Sequence, residues 1–348
     1  MIEIIIFAMQ NITNHHMKKL PLIMRAIVQE KLGGELSIKE IPIPNPEKGQ
    51  VLIKMEFASI NPSDLSMLQG TYAEKPSFPI VPGIEGSGTV VSHGGGVIAS
   101  LRKGKRVSCT ATHSFGGCWA EYMVTSAMNV IPIGNEISFE EATALIVNPL
   151  TAISFIDMAK RLKQSVIVNN AAGGALGKMI HKYGLLKGID VISIVRSQHQ
   201  LEALKSLGST TVIDSSWKNY KEELKEVCHK MNAKLYFDAI GGDSTADFVE
   251  VSPKGSHIYL YANLSEQESH FDARTLLQNN KEIKGFYLGD YTSELSILSK
   301  LSNVSKAKKL IKTELKTDVK DIYEMDKVAD AIESYKSNMS GGKILLKL

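Results

Sequence analysis

The stretch "SVIVNNAAGGALGKMI", residues 165–180, decides the fold, because a short β-branched run there meets a turn of small residues and then a helical pattern. The turn has the spacing G-x-G-x-x-G with alanine in the first position: Ala172, Gly174 and Gly177. Small residues let the backbone turn tightly and approach a pyrophosphate, and they leave the amino end of the helix facing the phosphate charge. The same letters can also form a plain βα turn, so the flanking elements decide between the two interpretations.

The flanking sequence alternates apolar strands with amphipathic helices over residues 150–289. Strand-like runs such as "DVISIV" are separated by helical patterns such as "LEALKSLG". This α/β alternation predicts βαβ units and a doubly wound parallel sheet of the Rossmann type. Within such a unit the turn predicts a dinucleotide site, with cofactor contacts at Ala172, Gly174, Ala175, Leu176 and Gly177.

The residue that follows the second strand of this sheet indicates which nicotinamide cofactor is bound. An NAD site has Asp or Glu about 20 residues beyond the motif, where the carboxylate holds the ribose hydroxyls, whereas an arginine there suits a 2′-phosphate. The chain has Arg196 followed by Ser197 at this point. NADPH is therefore the predicted cofactor. The alternative is that Arg196 is only a surface residue at a helix start.

A second, all-β domain is predicted before the boundary at residue 150. Short strand-like segments separated by Gly and Pro indicate a partly closed β-barrel. The final strand, "GGKILLKL", is expected to return to this barrel, so the predicted catalytic domain is formed by residues 24–149 and 290–348. Residues 1–23 are interpreted as an N-terminal extension outside the fold, because a second start-like stretch begins at Met24 and the first residues lack the basic start of a signal peptide.

Composition narrows the classes of function. The 348 residues are 43% apolar and 22% charged, with a formal net charge of +3. So small an excess of positive charge argues against a nucleic-acid partner. The apolar run in "MIEIIIFAM" is too short to span a membrane, which argues against a membrane partner. The three cysteines form no C-x-x-C pair, and this favours a reducing, cytoplasmic setting.

From residue 24 to its end the chain resembles the medium-chain dehydrogenase/reductase superfamily, which joins a GroES-like catalytic domain to a Rossmann domain. The motifs that carry the resemblance occur in the family's order: "NPSD", "PGIEGSGTVV", "NNAAGGALGK", "FDAIGG" and "GGKILLKL". Zinc-dependent members have Cys at the position of Asn61 and His at the position of Ile84. An amide and an aliphatic side chain cannot replace those ligands. The resemblance therefore implies the zinc-independent branch, with no metal.

Two groups within that branch share these motifs. Quinone oxidoreductases have the "NP.D" turn and often "GTY". Enoyl thioester reductases share more of the chain: "INPSDLSMLQGTY", the tryptophan of "GCWAE", "VNPLTA" and "KEIKGFYL". The resemblance implies an NADPH-dependent oxidoreductase that reduces a C=C bond conjugated to a carbonyl, with a 2-enoyl thioester as substrate. An NADPH:quinone or alkenal reductase is the alternative, and a non-catalytic NADPH-binding protein, lens-crystallin-like or redox-sensing, is a third.

The resemblance also implies roles for individual residues. Tyr72 occupies the position of the family's catalytic tyrosine, and its phenol, with an ordinary pKa of about 10, can donate a proton. Asn61 and Asn148 are expected to orient the nicotinamide ribose or the substrate carbonyl, although Asn61 can equally cap the helix that follows. Trp119 is expected to line the acyl pocket, with a core position as the alternative.

Two expectations concern surfaces. The resemblance implies a homodimer joined through the cofactor domains, by a sheet edge such as "GSHIYLYANL". The lysine-rich segment "KLSNVSKAKKLIKTELK" could attract a phosphopantetheine carrier or the phosphates of coenzyme A. A solvated helix face is the interpretation that we favour for this segment.

Overall fold

The computed structural model describes residues 20–72, 77–112 and 116–348. Most of the extension expected over residues 1–23 lies outside the described residues, and the first strand begins at Ile23. None of the helices within these ranges combines the length and the apolar character that crossing a bilayer requires.

The first part of the chain forms a β domain, as its short strand-like segments predict. Its strands are β1 (Ile23–Gln29), β2 (Leu36–Pro42), β3 (Gln50–Ser59), β4 (Glu85–His93), β5 (Arg106–Thr110), β6 (Tyr122–Ser126) and β7 (Val130–Pro132). Its short helices are α1 (Pro62–Gln69), α2 (Val97–Arg102) and α3 (Phe139–Thr143). Strand β3 is central to the larger sheet, because it pairs antiparallel with both β4 and β6. Cys109, Cys118 and Trp119 are all fully buried in the core of this domain.

The middle of the chain forms the cofactor domain. Helix α4 (Val147–Arg161) leads into it, and its strands are β8 (Val166–Asn169), β9 (Asp190–Val195), β10 (Val212–Asp214), β11 (Leu235–Asp238), β12 (His257–Leu260) and β13 (Glu282–Gly285). The helices between them are α5 (Ala175–Lys187), α6 (Gln198–Ser206), α7 (Tyr220–Lys230), α8 (Asp243–Val251) and α9 (Ala273–Asn279). The core beneath α4 includes Phe155 stacked on Phe237, with ring centroids 3.8 Å apart.

The six strands of this domain are all parallel and lie in the order β10-β9-β8-β11-β12-β13. This is the doubly wound Rossmann order. From β8 the chain adds β9 and β10 on one side of the sheet, and it then returns to add β11, β12 and β13 on the other side of β8. The "GSHIYLYANL" segment was expected at a sheet edge, and that expectation is wrong. Its strand β12 pairs with β11 on one side and β13 on the other, so β13 is the edge strand.

The last part of the chain returns to the β domain. It contains α10 (Leu288–Ser293), α11 (Ile297–Leu310), β14 (Val319–Glu324), a short 3₁₀ turn (Met325–Lys327), α12 (Val328–Ser337) and β15 (Lys343–Lys347). Strand β15 pairs antiparallel with β3, with Leu345 opposite Ser59, as expected for the "GGKILLKL" segment. Ala307 of α11 is buried in the core that includes Phe155 of α4. The exact domain limits stay a prediction.

Helix α11 carries part of the lysine-rich segment, and some of these lysines bind the rest of the protein. Lys306 Nζ lies 3.2 Å from a carboxylate oxygen of Asp157 on α4. Lys308 Nζ donates to the main-chain oxygen of Pro132 in the β domain, at 3.0 Å. The segment is therefore more than a solvated face, because it fastens α11 to both domains.

Candidate active site

The small-residue turn between β8 and α5 has the shape of a pyrophosphate cradle. Gly174 precedes the first turn of α5 and supplies no side-chain cap, so the N–H groups of that turn are open to a ligand. A Cβ atom added at Gly177 would lie 2.5 Å from Ala172 Cα, which shows how closely the helix packs on the turn. The N–H of Ala172 donates to the Ile194 oxygen at 3.0 Å and fixes the turn to β9. Ala175 and Leu176 supply the first residues of the helix.

A buried hydrogen-bond network joins the ends of β8 and β11, the neighbouring strands between which the order of strands in the sheet reverses. Asn170, just after β8, accepts from the Ala239 N–H at 2.7 Å and donates to the Asp238 carboxylate at the end of β11. Asp238 also accepts from Thr245 Oγ1 at 2.6 Å. The reversal point is where doubly wound sheets bind their ligands. Asn170 and Asp238 belong to motifs that carry the family resemblance, but no role was predicted from the sequence for them or for Thr245.

A cationic cavity of about 280 Å³ lies beyond β9. It is lined by Lys178, Arg196, Ser197, His199, Gln200 and Ser340, among others. Ser197 also caps helix α6 by accepting from the Gln200 N–H. Three basic side chains around one cavity suit a phosphate group. Sequence reasoning assigned Arg196 and Ser197 here but missed Lys178, although it directly follows Gly177 in the printed motif.

The β domain contributes to the same cavity. Ser340, in the loop before β15, accepts from Gln200 Nε2 at 3.1 Å. This contact joins residues 140 positions apart in the chain. The cavity is therefore formed by both domains.

Tyr72 lies just after α1 and faces the other domain. Its side chain is half-buried, and its hydroxyl oxygen is 3.4 Å from the hydroxyl oxygen of Tyr287. Tyr287 directly precedes α10, and 48% of its surface is exposed. The distance exceeds that of a normal O–H···O hydrogen bond, so the two phenols are adjacent but not tightly bonded. The structure thus places Tyr72 where the β domain meets the segment that follows β13.

Asn61 follows β3 and turns its amide into the β domain. Its Nδ2 donates to Ser59 Oγ at 2.9 Å and to Glu85 Oε1 at 3.3 Å, while its Oδ1 accepts from Lys343 Nζ. Only 2% of the residue is exposed. Asn61 is also the N-cap residue of α1 and forms a capping box with Asp64, whose carboxylate accepts the Asn61 N–H at 2.7 Å. This is the capping position that was the alternative to a contact with the ribose or the substrate carbonyl.

Asp64 sits beneath this corner with no exposed surface. It also accepts the N–H of Ile84, the residue at the position of the zinc-ligating histidine, at 2.8 Å. Burial raises the pKa of the Asp64 carboxyl to about 7, against the lowering effects of the Asn61 N–H and the Lys343 charge. Within the part of the chain that the structure describes, no three His, Cys, Asp or Glu side chains are grouped so that they could hold a metal ion.

Asn148 and Trp119 are placed differently from each other. Asn148 is half-buried in the first turn of α4, next to Val147, whose N–H donates to Glu85 Oε2 at 3.0 Å. Trp119 is fully buried, and its Nε1 donates to the Ser59 oxygen at 3.1 Å. This is the core position that was the alternative to an acyl-pocket role. Asn148 remains a candidate for contact with the cofactor.

Comparison with known proteins identifies both halves of the chain. The family described as "Alcohol dehydrogenase GroES-like domain" matches residues 47–135, and the family described as "Zinc-binding dehydrogenase" matches residues 175–303. Among solved structures, one from Mesorhizobium loti, provisionally described as an NADPH:quinone reductase, is 27% identical with a TM-score of 0.85. That match covers 95% of this chain and 100% of the other.

Whole-chain relatives carry two kinds of name. The mitochondrial enoyl-[acyl-carrier-protein] reductase of Xenopus tropicalis is 30% identical over an alignment of 282 residues, covering 78% of this chain and 79% of that protein. The synaptic vesicle membrane protein VAT-1 homolog of Homo sapiens is 29% identical, covering 93% of this chain and 86% of that protein. Together with Asn61 and Ile84 at the zinc-ligand positions, these similarities show that the chain belongs to the zinc-independent branch of the medium-chain dehydrogenase/reductase superfamily, a group of nicotinamide-dependent oxidoreductases.

Proposed function

We propose that the protein is an NADPH-dependent reductase of a C=C bond conjugated to a carbonyl, with a 2-enoyl thioester as its substrate. The observation that carries the proposal is the position of Tyr72, whose hydroxyl lies beside Tyr287 where the two domains meet. A phenol there can donate a proton to a substrate held between the domains. The similarity to the Xenopus enoyl reductase supports the thioester as the acceptor.

In this reaction the protein binds and orients the substrate and the cofactor, and it supplies a proton. When bound, the reduced nicotinamide supplies a hydride to the β-carbon of the substrate. Negative charge then develops on the thioester oxygen and needs a preorganised donor. The Tyr72 phenol supplies the proton that the α-carbon takes up. Asn148 at the start of α4 is the candidate for orienting the ribose or the carbonyl.

NADPH is the proposed cofactor because of the cationic cavity. Lys178, Arg196 and His199 line this cavity, and none of its lining residues in the described part of the chain carries a carboxylate. The end of the second strand of a Rossmann unit is where the adenosine ribose of a nicotinamide cofactor is expected. A 2′-phosphate would be paired there, whereas the two ribose hydroxyls of NADH would meet three basic side chains and no acceptor acid. Preference for the phosphorylated cofactor follows from this charge pattern.

A panel of acceptors tests the proposal. Oxidation of NADPH is followed at 340 nm with crotonyl and longer 2-enoyl thioesters, with quinones, with alkenals and without an acceptor. We expect the thioesters to give the highest kcat/KM. Turnover restricted to quinones or alkenals would favour the second candidate, which the similarity to the Mesorhizobium structure supports. NADPH binding without turnover of any acceptor would favour a non-catalytic role.

The setting of the reaction is also part of the proposal. A cytoplasmic homodimer that takes a small-molecule or carrier-bound thioester, with no nucleic-acid or membrane partner, is consistent with the small net charge of +3. Strand β13 is one of the two edge strands of the cofactor sheet, and two copies could pair through it. Light scattering on the purified protein measures the number of copies directly.

A further inference from the structure

A buried charge cluster lies where the β domain meets α4. Lys343, at the start of β15, is 4% exposed on its side chain, and Glu85, at the start of β4, is fully buried. Lys343 Nζ lies 3.2 Å from Glu85 Oε1 and also donates to Asn61 Oδ1. A buried ammonium is costly unless it is paired and hydrogen-bonded, and this one is both.

The cluster is more elaborate than a single ion pair needs to be. Glu85 Oε1 accepts from three groups, Ser59 Oγ at 3.1 Å, Asn61 Nδ2 and Lys343 Nζ. A second buried carboxylate, that of Asp64, holds the backbone N–H of Asn61. Because buried ion pairs are often no more stabilising than apolar residues of the same size, fold stability alone does not account for this arrangement.

The cluster joins three separate segments. Asn61 directly precedes helix α1, and the chain continues through α1 to Tyr72. The other oxygen of Glu85, Oε2, accepts the N–H of Val147, which begins α4 beside Asn148. Lys343 brings in β15, which is 258 residues from Glu85 along the chain. One ammonium group therefore holds the segment that carries the proton donor and the helix start that faces the cofactor domain.

We propose that Lys343 is a positioning residue for the reduction, acting through Asn61 and Glu85 to fix Tyr72 and the start of α4 relative to each other. It touches neither substrate nor cofactor. The inference rests on the proposed reductase activity. Hydrogen exchange measures the effect on these segments without any turnover, at the Val147 amide, which donates to Glu85, and at the Asn61 amide, which donates to Asp64.

Four variants test the role. Lys343→Met removes the ammonium, and Lys343→Arg keeps its charge with a different shape. Lys343→Met combined with Glu85→Gln removes both charges of the pair, so that the Glu85 carboxylate is not left buried without its partner. The matched control is Lys347→Met on the same strand, where the lysine is 55% exposed and pairs with Glu324 at the surface.

Three measurements are made on each folded variant. They are the NADPH dissociation constant with its stoichiometry, kcat and KM for the best thioester, and hydrogen exchange in peptides covering residues 59–65 and 145–150. For both Lys343→Met proteins we expect kcat per NADPH-binding site to fall at least about tenfold, with NADPH affinity within about threefold of the wild type. Exchange in both peptides should accelerate, Lys343→Arg should recover part of kcat, and the control should match the wild type.

Each contrary result has a distinct meaning. Normal kcat with faster exchange would make Lys343 a structural residue only, and lost kcat with normal exchange would exclude the route through Asn61 and Val147. Either result overturns the inference. A wild-type protein that reduces no acceptor would overturn the proposed function instead. In that case unchanged exchange in the Lys343 variants would still reject the physical coupling, and faster exchange in both peptides would support it.

Discussion

At the scale of single residues, Tyr72 is distinguished from the ten other tyrosines of the chain by its place and not by its type. Tyr236, for comparison, is fully buried in the cofactor domain, and burial raises the pKa of its phenol well above the ordinary value. Tyr72 is half-buried and lies beside Tyr287 at the junction of the domains. A proton donor needs both access to the substrate and a partner that orients it.

Replacing Tyr72 by phenylalanine should separate chemistry from binding. The Tyr72→Phe protein keeps the ring but lacks the hydroxyl, so we expect kcat on the enoyl thioester to fall about 100-fold or more. The dissociation constant for NADPH should stay within about twofold, because the phosphate contacts that we propose for the cofactor lie at Arg196 and the glycine turn. Tyr323→Phe, on strand β14, is the control. Near-normal kcat in Tyr72→Phe would remove the residue from the mechanism.

Arg196 should set the choice of cofactor. In Arg196→Glu a carboxylate faces the position of the 2′-phosphate, and we expect KM for NADPH to rise about 10- to 100-fold. KM for NADH should fall or stay constant, because the new acid can accept from the ribose hydroxyls. Lys205→Glu, at an exposed position on the helix α6 that follows Arg196, controls for the change in net charge. Equal effects of the two substitutions on NADPH would contradict the assignment.

The residues that sequence reasoning found and those it missed differ in how far away their partners lie. Arg196 was predictable because the second strand and the glycine turn fix its position locally. Lys343 was not, since its partners Asn61 and Glu85 lie 282 and 258 residues away and no local spacing records such contacts. The inward orientation of the Asn61 amide could not be predicted either, because its partners Glu85 and Lys343 are distant in the sequence.

At the scale of elements, the strongly patterned segments were predictable and the weakly patterned ones were not. The strands from β1 to β12 stood out because apolar runs end at Gly or Pro turns. Strand β13 reads "EIKG", with a single apolar residue, and is mostly exposed at the sheet edge. Strand β14, "VKDIYE", is likewise mostly exposed. Their strand conformation comes from pairing with β12 and β15, which tertiary contacts supply.

The start of α1 should make stability depend on pH. The pKa of the buried Asp64 is raised to about 7 from its ordinary 3.8, so the folded state binds the proton more tightly than the unfolded chain does. The free energy of unfolding should therefore fall as pH rises from about 4 to about 7, by roughly 1 kcal/mol per pH unit from this group.

Denaturant unfolding at several pH values measures this contribution. Asp64→Asn should abolish that part of the pH slope, while it lowers stability at every pH because an amide cannot accept both backbone N–H groups. Asp321→Asn, at an exposed position on β14, should leave the slope intact. A slope that is identical in the wild type and Asp64→Asn would show that Asp64 titrates in its ordinary range.

At the scale of the whole molecule, the architecture follows from two sequence patterns, one for each domain, and from the pairing of the last strand, β15, with the first domain. Alternating strands and helices specify the parallel sheet, and short strands between turns specify the β domain. The return of β15 to the β domain was predicted, because a strand left over after two helices has few places to pair, but its pairing with β3 was not. How the domains touch was not foreseen, since contacts such as Gln200 with Ser340 depend on the folded surfaces of both.

Because both domains line the cationic cavity, NADPH should stabilise the molecule as one unit. A ligand at 100 times its dissociation constant adds about 2.7 kcal/mol to the free energy of unfolding. For a chain of 348 residues this corresponds to a rise in Tm of roughly 4 °C. Calorimetry should show a single transition that moves by this amount with NADPH and by much less with NADH at the same concentration.

The Arg196→Glu protein provides the internal control for that shift. Its transition should respond more to NADH than to NADPH, because the added carboxylate repels the 2′-phosphate that the wild-type cavity attracts. Two separate transitions, of which only that of the cofactor domain shifts with ligand, would mean that the contacts of the Ser340 loop do not contribute to NADPH binding. A single shifted transition instead requires that the β domain and the cofactor domain unfold together once the cavity between Arg196 and Ser340 is filled.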